Sequence, residues 1–207
     1  MNIKINKSYL FFKRIFDVVS SFIGLVILAI PMLIISLAIK LDDGGSVFFR
    51  QKRVGKDFKV FEILKFRTMV EDAPKKGRQI TADGDDRITK VGHVLRKLKL
   101  DELPQLINVF LGQMSVVGPR PEVPKYVEMY DETQRQVLLI KPGITDLASI
   151  KYRSESEILA KAKDPEKVYI EEIMPHKLSL NLEYIEDMSF LYDIKLIFKT
   201  FGAIVKG

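Results

Sequence analysis

The 207-residue chain contains no cysteine and only two histidines. Without cysteine, disulfide scaffolds, thiolate zinc sites and cysteine nucleophiles are excluded, and a reducing compartment is compatible with the composition. His93 and His176 are far apart, and neither lies near a candidate nucleophile, which argues against a Ser–His or His–metal mechanism. Both histidines are therefore expected at the surface or in structural roles.

The excess of basic residues is confined to the first third of the chain. Residues 1–67 hold 12 basic and 5 acidic residues, whereas residues 68–207 hold 21 basic and 22 acidic ones, which gives the net charge of +6. A nucleic-acid-binding protein more often spreads its basic residues over a docking face. We therefore expect no nucleic-acid partner.

Charged residues are absent from residues 18–39. A helix needs about 20 apolar residues to cross the core of a bilayer, and this run lacks the polar face that a core helix of a soluble protein would show. A cleaved signal peptide is disfavoured because its apolar region is usually about 7–15 residues long. The sequence predicts a membrane-embedded segment over residues 1–41 and a separate domain over residues 42–207.

The topology of this segment has two solutions. Basic residues flank both of its ends: Lys4, Lys7, Lys13 and Arg14 precede it, and Lys40, Arg50, Lys52, Arg53 and Lys56 follow it. Basic flanks prefer the cytoplasm, so a single crossing violates that preference at one end. Pro31 lies near the middle of the run and kinks or breaks a helix there. The basic flanks and the proline leave two topologies open. One is a helix–break–helix that returns to the same face of the membrane, and the other is a kinked helix that spans it.

The remaining sequence predicts an α/β fold that is mostly helical and contains a small β-hairpin. Residues 46–51 and 58–66 are rich in aromatic and β-branched residues and are joined by a turn-like stretch at 54–57. Residues 70–87 are polar and are expected to form a loop. Apolar spacing predicts further helices over residues 88–100, from Asp101 to Gly112, and over most of 154–187.

The last segment, Met188 to Lys206, also has helical periodicity. Its apolar residues fall on one face: Phe190, Leu191, Ile194, Ile197, Phe198, Phe201 and Val205. Such a helix either lies on the membrane surface or docks on the domain core. The membrane segment at the other end of the chain favours the interfacial position.

Two adjacent carboxylates, Asp101 and Glu102, are expected at a helix start. Basic residues recur in the surrounding motifs: Lys65, Arg67, Arg87, Arg96 and Arg120. From spacing alone, the preferred interpretation is that the carboxylates cap the helix and complement its dipole. The functional alternative is that they bind Mg²⁺ while the basic residues neutralise phosphate oxygens, and that one carboxylate attacks phosphorus.

Seven motifs, spanning about residues 10 to 145, occur in an order typical of one protein family. They are KRIFD at 13–17, SVFFRQKRVG at 46–55, KFRTM at 65–69, DRITKVG at 86–92, LDELPQL at 100–106, MSVVGPRP at 114–121 and KPGIT at 141–145. With these motifs the chain closely resembles the monotopic polyprenyl-phosphate phosphoglycosyl transferases, the bacterial sugar transferases that initiate glycan assembly.

The resemblance implies transfer of a phosphosugar from a UDP-sugar to polyprenyl phosphate, usually undecaprenyl phosphate, with release of UMP. It implies that Asp101 is the nucleophile and that Glu102 assists Mg²⁺ binding. Substrate phosphate or nucleotide contacts are expected from Arg120, Pro121, Lys65, Arg67, Arg87 and Arg96.

The same resemblance implies a re-entrant membrane helix broken at Pro31, and so favours the first of the two topologies. A compact catalytic domain with amphipathic helices at the membrane surface would lie on the cytoplasmic face of a bacterial inner membrane. Membrane lipids and downstream glycosyltransferases are the other partners that it implies.

The chain departs from the family pattern at three places. Ile30 stands where many members have serine before the membrane proline, and Gln113 stands where many have aspartate. Residues 146–149 read Asp-Leu-Ala-Ser, where many members read Gly-Trp-Ala-Gln. The last difference falls in a region suited to sugar recognition, so the identity of the donor sugar is not implied.

Two other functions are compatible with the same features. A membrane-anchored adaptor that binds anionic lipid would explain the charge distribution but not the recurring carboxylates and arginines. A metal-dependent glycosyltransferase without a covalent step would release UDP instead of UMP. The nucleotide product therefore distinguishes all three.

Overall fold

A computed structural model of the chain describes residues 5–73 and 85–205. This part is mostly helical and contains two small two-stranded sheets, in agreement with the predicted fold class. In chain order the elements are α1 (Lys7–Asp43), β1 (Phe48–Val54), β2 (Val60–Phe66), α2 (Lys90–Lys97), α3 (Gln105–Phe110), β3 (Ser115–Val117), α4 (Pro124–Val127), β4 (Gly143–Thr145), α5 (Leu147–Lys151), α6 (Glu155–Ala160), α7 (Pro165–Val168), α8 (Met174–Asp187) and α9 (Phe190–Val205). Residues 74–84 of the expected loop lie outside the described residues.

Helix α1 is a single helix of 37 residues with Pro31 inside it. The predicted helix–break–helix is therefore not observed as two helices. A proline removes one backbone hydrogen bond, and the apolar residues on both sides still favour the helix. Ile30 also lacks the hydroxyl that a serine would offer to the backbone at this point.

Most of the apolar side chains of α1 are exposed. The helix is long and apolar enough to cross a membrane, and only 6% of its most apolar 18-residue window is buried. A core helix of a soluble protein would be mostly buried. The exposed side chains include Phe11, Phe12, Val19, Phe22, Val26, Ile27, Ile30, Leu33, Ile34 and Leu37.

Both ends of α1 contact the rest of the molecule. Near the N-terminus, Lys13 forms a buried ion pair with Asp193 of α9. Near the C-terminus, Ile39 belongs to a buried cluster with Phe66 of β2 and Leu95 of α2. The rest of the fold therefore contacts both flanks of the uncharged run.

Strands β1 and β2 form the predicted antiparallel hairpin, in a register that pairs Phe48 with Phe66 and Val54 with Val60. The turn is displaced slightly from the expected position because Asp57 and Phe58 adopt left-handed backbone conformations, with φ of 54° and 60°. The second sheet pairs β3 with β4 in parallel, with Ser115 opposite Gly143.

The helix expected from Asp101 begins only at Gln105. A helix starting at Asp101 would need the backbone N–H of residue 104 to bond the Leu100 carbonyl, and Pro104 has no N–H. Leu103 donates to that carbonyl instead, at 3.2 Å, which closes a short 3₁₀ turn over Leu100–Glu102. The carboxylate pair therefore lies in this turn and does not cap α3.

The C-terminal helices form the main core. Most of residues 154–187 are helical, as predicted, and a π-helical turn at Tyr169–Ile173 joins α7 to α8. Helix α9 buries Leu196 completely against this core and exposes Leu191, Phe198 and Phe201. Helix α9 thus packs on the domain core and also leaves apolar side chains exposed.

Candidate functional site

The candidate site is built around the 3₁₀ turn that follows α2. Helix α2 packs closely on the segment after β2, because a Cβ at Gly92 would lie 2.1 Å from the carbonyl oxygen of Thr68. Lys99 then adopts a left-handed conformation, with φ of 57°, directly before the 3₁₀ turn Leu100–Glu102. The turn places Asp101 and Glu102 beside the end of β2, where Lys65 bonds Glu102.

Glu102 connects cations from two distant segments. Its Oε1 atom accepts hydrogen bonds from Lys65 Nζ at 2.8 Å and from Arg120 Nη2 at 2.5 Å. Its Oε2 atom has a longer contact, 3.4 Å, with Arg120 Nη1. The end of β2 and the turn after β3 are thereby joined through one carboxylate.

Asp101 differs from Glu102 in its hydrogen bonding. Its residue surface is only 9% exposed, yet within residues 5–73 and 85–205 no donor is hydrogen-bonded to its carboxylate. Burial raises the pKa of Asp101 and the charge of Glu102 adds to this, while Lys65 and Arg96 oppose it. Among the described residues, the site therefore contains one carboxylate without a hydrogen bond beside one whose Oε1 atom accepts from two cations.

The pKa values of the paired groups follow from the same contacts. Burial opposes ionisation of Glu102, but Arg120 and Lys65 outweigh it and hold the pKa of Glu102 well below its usual range. Glu102 in turn raises the pKa of Arg120. Burial lowers the pKa of Lys65, with Glu102 opposing. At neutral pH Glu102 is thus a fixed negative charge between the two cations.

Two further arginines expected at the site, Arg96 and Arg87, interact with each other electrostatically, and Arg96 also interacts with Asp101. Arg96 donates from Nε to Thr68 Oγ1 at 2.9 Å, and the electrostatic interaction of Arg96 with Asp101 opposes the fall in pKa that burial causes in Arg96. Arg87 holds Asp85 through two hydrogen bonds, of 2.8 and 2.5 Å, and is near enough to Arg96 to lower its pKa. Arg96 is the nearer of the two to the carboxylate pair.

Arg67 is not brought to the carboxylate pair. Its guanidinium pairs with Asp43 at the end of α1 and donates to the carbonyl oxygens of Ser46 and Met69. Asp43 raises the pKa of Arg67. The structure thus gives Arg67 a role in fixing the end of α1.

Arg53 braces the turn that carries Arg120 and was not among the residues expected at the site. Its Nη1 atom donates to the carbonyl oxygen of Pro121 at 3.0 Å and to Glu122 at 3.1 Å, and Glu122 also accepts from the Tyr169 hydroxyl. The sequence contains no local signal for this contact because 68 residues separate Arg53 from Pro121. The two histidines are both exposed, as expected.

The carboxylate pair is suited to Mg²⁺. Both oxygens of Asp101 and the weakly engaged Oε2 of Glu102 are hard oxygen donors, and in the described part of the chain there is no group of three or more potential metal ligands. Mg²⁺ is commonly held by one or two carboxylates together with substrate phosphates and water. The residues present fit that kind of site.

Comparison with known proteins gives concordant matches. The model of the bacterial sugar transferase family matches residues 8–207. The chain is 36% identical over 202 residues to the UDP-N-acetylgalactosamine-undecaprenyl-phosphate N-acetylgalactosaminephosphotransferase of Aeromonas hydrophila, covering 96% of this chain and 45% of the relative. It is 40% identical over 193 residues to the UDP-glucose:undecaprenyl-phosphate glucose-1-phosphate transferase of Escherichia coli, covering 91% of this chain and 39% of the relative.

Shorter relatives are matched over most of their length. The exopolysaccharide production protein ExoY of Sinorhizobium fredii is 33% identical over 207 residues, which cover 93% of this chain and 84% of the relative. The chain thus spans less than half of the Aeromonas and Escherichia relatives but most of this one.

Proposed function

Because the chain belongs to the bacterial sugar transferase family, we propose that it transfers a phosphosugar from a UDP-sugar to polyprenyl phosphate, most naturally undecaprenyl phosphate. The products are polyprenyl-diphosphate-sugar and UMP, and the step starts glycan assembly on a bacterial inner membrane. The observation that carries this proposal is the unpaired, largely buried Asp101 carboxylate beside the Glu102-centred cations.

In the first step, an Asp101 oxygen attacks the phosphorus that carries the sugar. A bond forms between that oxygen and phosphorus, the bond to the bridging oxygen breaks, and UMP leaves with the bridging oxygen. A phosphate oxygen of the polyprenyl phosphate then attacks the same phosphorus and releases Asp101 unchanged. No external oxidant, reductant or net proton transfer is needed.

A carboxylate approaching a diphosphate is repelled unless nearby charges compensate. Lys65, Arg96 and Arg120 supply three positive charges around Asp101 and Glu102, which leaves the site with a net positive charge for substrate. Asp101 and Glu102 are the residues that would hold Mg²⁺, and the ion supplies further positive charge to the phosphate oxygens when bound.

A two-step reaction suits substrates of different solubility. The UDP-sugar is water-soluble and the polyprenyl phosphate is held in the membrane, so each can occupy the site in turn. The exposed apolar faces of α1 and α9 support a catalytic domain that lies at the membrane surface.

The nucleotide product tests this function directly. Purified protein with Mg²⁺, polyprenyl phosphate and a panel of UDP-sugars is expected to release UMP with at least one donor. Release of UDP would identify a glycosyltransferase without phosphosugar transfer. Absence of any nucleotide product across the panel would favour the adaptor alternative.

Arg120→Lys is expected to lower turnover by roughly 10- to 100-fold. Charge-assisted hydrogen bonds contribute about 1.5–3 kcal/mol, and lysine cannot make the planar two-pronged contact of a guanidinium with phosphate. Arg50→Lys is the matched control because the Arg50 side chain is 67% exposed and its nearest acidic partner, Glu62, lies 3.8 Å away. Unchanged kinetics in Arg120→Lys would limit Arg120 to its pairing with Glu102.

We further propose that both ends of α1 lie on the cytoplasmic face, with the helix bending at Pro31, where one backbone hydrogen bond is missing, so that it enters the membrane and returns. The supporting observation is that Lys13, before the uncharged run, and Ile39, at its last position, both contact the rest of the fold. In a spanning helix a hydrocarbon core of about 30 Å would separate such residues. Basic flanks at both ends also favour the cytoplasm.

Single cysteines test this topology, since the natural chain has none. Ser8→Cys and Lys52→Cys lie at exposed positions before and after the apolar run. Both are expected to resist a membrane-impermeant thiol reagent in intact cells and to react after permeabilisation. Labelling of either one from outside would contradict the re-entrant arrangement.

A further inference from the structure

A second group of cations lies at the other end of α3 from Asp101 and Glu102. It consists of Arg14, Lys56 and Lys141, and it is called the Gly112 cluster below. A Cβ at Gly112 would stand 3.2 Å from Arg14 Nη2 and 3.4 Å from Lys141 Nζ, so both charged groups converge on this glycine. Lys56 is close enough to Lys141 to contribute to lowering its pKa.

Among the described residues, the carboxylates balance the positive charge of this cluster only in part. Lys141 is half-buried, and within the described residues its Nζ has neither a hydrogen-bond acceptor nor a carboxylate partner. Arg14 donates only to neutral acceptors, the carbonyl oxygens of Val109 at 2.7 Å and Phe110 at 2.8 Å. The nearest carboxylate to Lys56 Nζ is that of Asp57, at 4.0 Å.

Asp17 is the carboxylate that interacts electrostatically with Lys141, and it is already engaged. Its Oδ1 accepts from Ser115 Oγ at 3.0 Å and from the Val116 backbone N–H at 2.9 Å. Burial and Arg14 lower the pKa of Lys141, Asp17 opposes this, and Lys56 lowers it further, so the positive charge is compensated only in part. An anion from outside the protein would balance the remaining positive charge of the cluster.

The surroundings of the cluster indicate which anion fits. Phe22, Phe110 and Leu111 form an exposed apolar patch directly beside it; Leu111 is 65% exposed, and the rings of Phe22 and Phe110 are 6.2 Å apart. Arg14 precedes the uncharged run by about one helical turn. The cluster therefore lies where the polar surface of the molecule meets its apolar surface.

We propose that the Gly112 cluster binds the phosphate of an anionic membrane phospholipid, whose acyl chains lie against the adjoining apolar patch. Such a lipid satisfies the unpaired Lys141 and covers the exposed rings at once. Its phosphate is held at the C-terminal end of α3, away from the carboxylate pair, so this lipid is not the substrate of the transfer reaction. The site anchors the helix that follows the catalytic turn at a fixed depth in the membrane.

The absence of tryptophan from the chain allows a site-specific test. In the full-length protein reconstituted in vesicles, Leu111→Trp places a single fluorescent reporter in the apolar patch. Its quenching is compared in vesicles containing increasing fractions of brominated phosphatidylglycerol or brominated phosphatidylcholine. We expect the anionic lipid to be enriched about fivefold over the zwitterionic one at the reporter, the factor typical of one basic residue near an anionic surface.

Three variants in the reporter background decide the assignment. Lys141→Gln is expected to remove most of the enrichment, whereas Lys141→Arg should preserve it. Lys163→Gln removes one charge at an exposed position and should have no effect. Far-UV circular dichroism verifies that each variant is folded. Because no variant alters the carboxylate pair, the outcome is independent of whether the chain transfers phosphosugars.

Equal quenching by the two lipids in the Leu111→Trp protein would overturn the proposal, as would an enrichment that survives Lys141→Gln. An equal loss in Lys163→Gln would also overturn it, since that result requires only net charge. Inorganic phosphate is compared with chloride at matched ionic strength. Displacement of the lipid preference by inorganic phosphate alone would contradict a membrane-lipid site and indicate a soluble anion.

Discussion

Asp101→Asn is expected to lower UMP release on the order of a thousandfold or more in the purified full-length protein. An amide lacks the negative charge with which the carboxylate attacks phosphorus, and loss of a covalent nucleophile is among the largest single-residue effects known in enzymes. A thousandfold loss corresponds to about 4 kcal/mol of transition-state stabilisation. The measurement is steady-state UMP release with Mg²⁺, UDP-sugar and polyprenyl phosphate.

The same variant is expected to remain folded. Because no donor in the described part of the chain is hydrogen-bonded to Asp101, and burial already raises its pKa, replacing the charge with an amide breaks no ion pair. We expect the midpoint of thermal unfolding in detergent to be equal to or higher than that of the natural protein. Asp187→Asn, at an exposed position near the end of α8, is the matched control. Near-natural turnover in Asp101→Asn would refute the nucleophile assignment.

Glu102→Gln is expected to lower both activity and stability. Glutamine keeps the shape of the side chain but leaves Lys65 and Arg120, which are largely buried, without their shared counter-charge. Removing one partner of a buried ion pair costs about 3–5 kcal/mol, and the partial exposure of Arg120 places this case near the lower bound. A clear fall in the midpoint of thermal unfolding should accompany loss of UMP release.

A second substitution separates the two effects of Glu102. Lys65→Met in the Glu102→Gln background removes one of the stranded cations and should recover part of the lost thermal stability. Activity should not return, because both the charge of Glu102 and that of Lys65 are then absent from the site. A double variant no more stable than Glu102→Gln would show that the unpaired charge of Lys65 is not what destabilises Glu102→Gln.

Features with local causes were predictable from the sequence. The hairpin follows from two aromatic and β-branched runs with a turn between them, and the structure pairs them over Phe48–Val54 and Val60–Phe66. The juxtaposition of Asp101 and Glu102 with basic residues was also anticipated from the motifs. Lys65 and Arg120 do meet Glu102 directly.

Helix boundaries were less predictable because they depend on single backbone hydrogen bonds. Apolar periodicity, with Pro104 assigned to the first turn, predicted a helix start near Asp101, but Pro104 cannot supply the first hydrogen bond that such a helix requires. At Pro31 the outcome was the reverse, because one missing bond inside a long apolar helix did not end it. Proline thus has two outcomes: Pro104 marks the N-terminus of a six-residue helix, whereas Pro31 lies within a helix of 37 residues.

Contacts between distant segments could not be predicted from the spacing of residues in the sequence. Arg67 and Arg120 looked equivalent as basic residues in the motifs around Asp101 and Glu102, yet Arg67 pairs with Asp43 and Arg120 with Glu102. The brace from Arg53 to the Pro121 carbonyl depends on how the hairpin packs against the turn after β3. Such pairings are set by tertiary packing, and they cannot be predicted from residue spacing in a single sequence.

Intact-protein mass spectrometry tests whether Asp101 carries the phosphosugar between donor and acceptor. The purified protein is mixed with Mg²⁺ and its UDP-sugar in the absence of polyprenyl phosphate, quenched in acid and weighed. We expect a mass increase of one phosphosugar in the natural protein, none in Asp101→Asn, and loss of the adduct when polyprenyl phosphate is added. Full turnover with strictly sequential kinetics and no adduct would contradict it and indicate direct attack by the lipid phosphate.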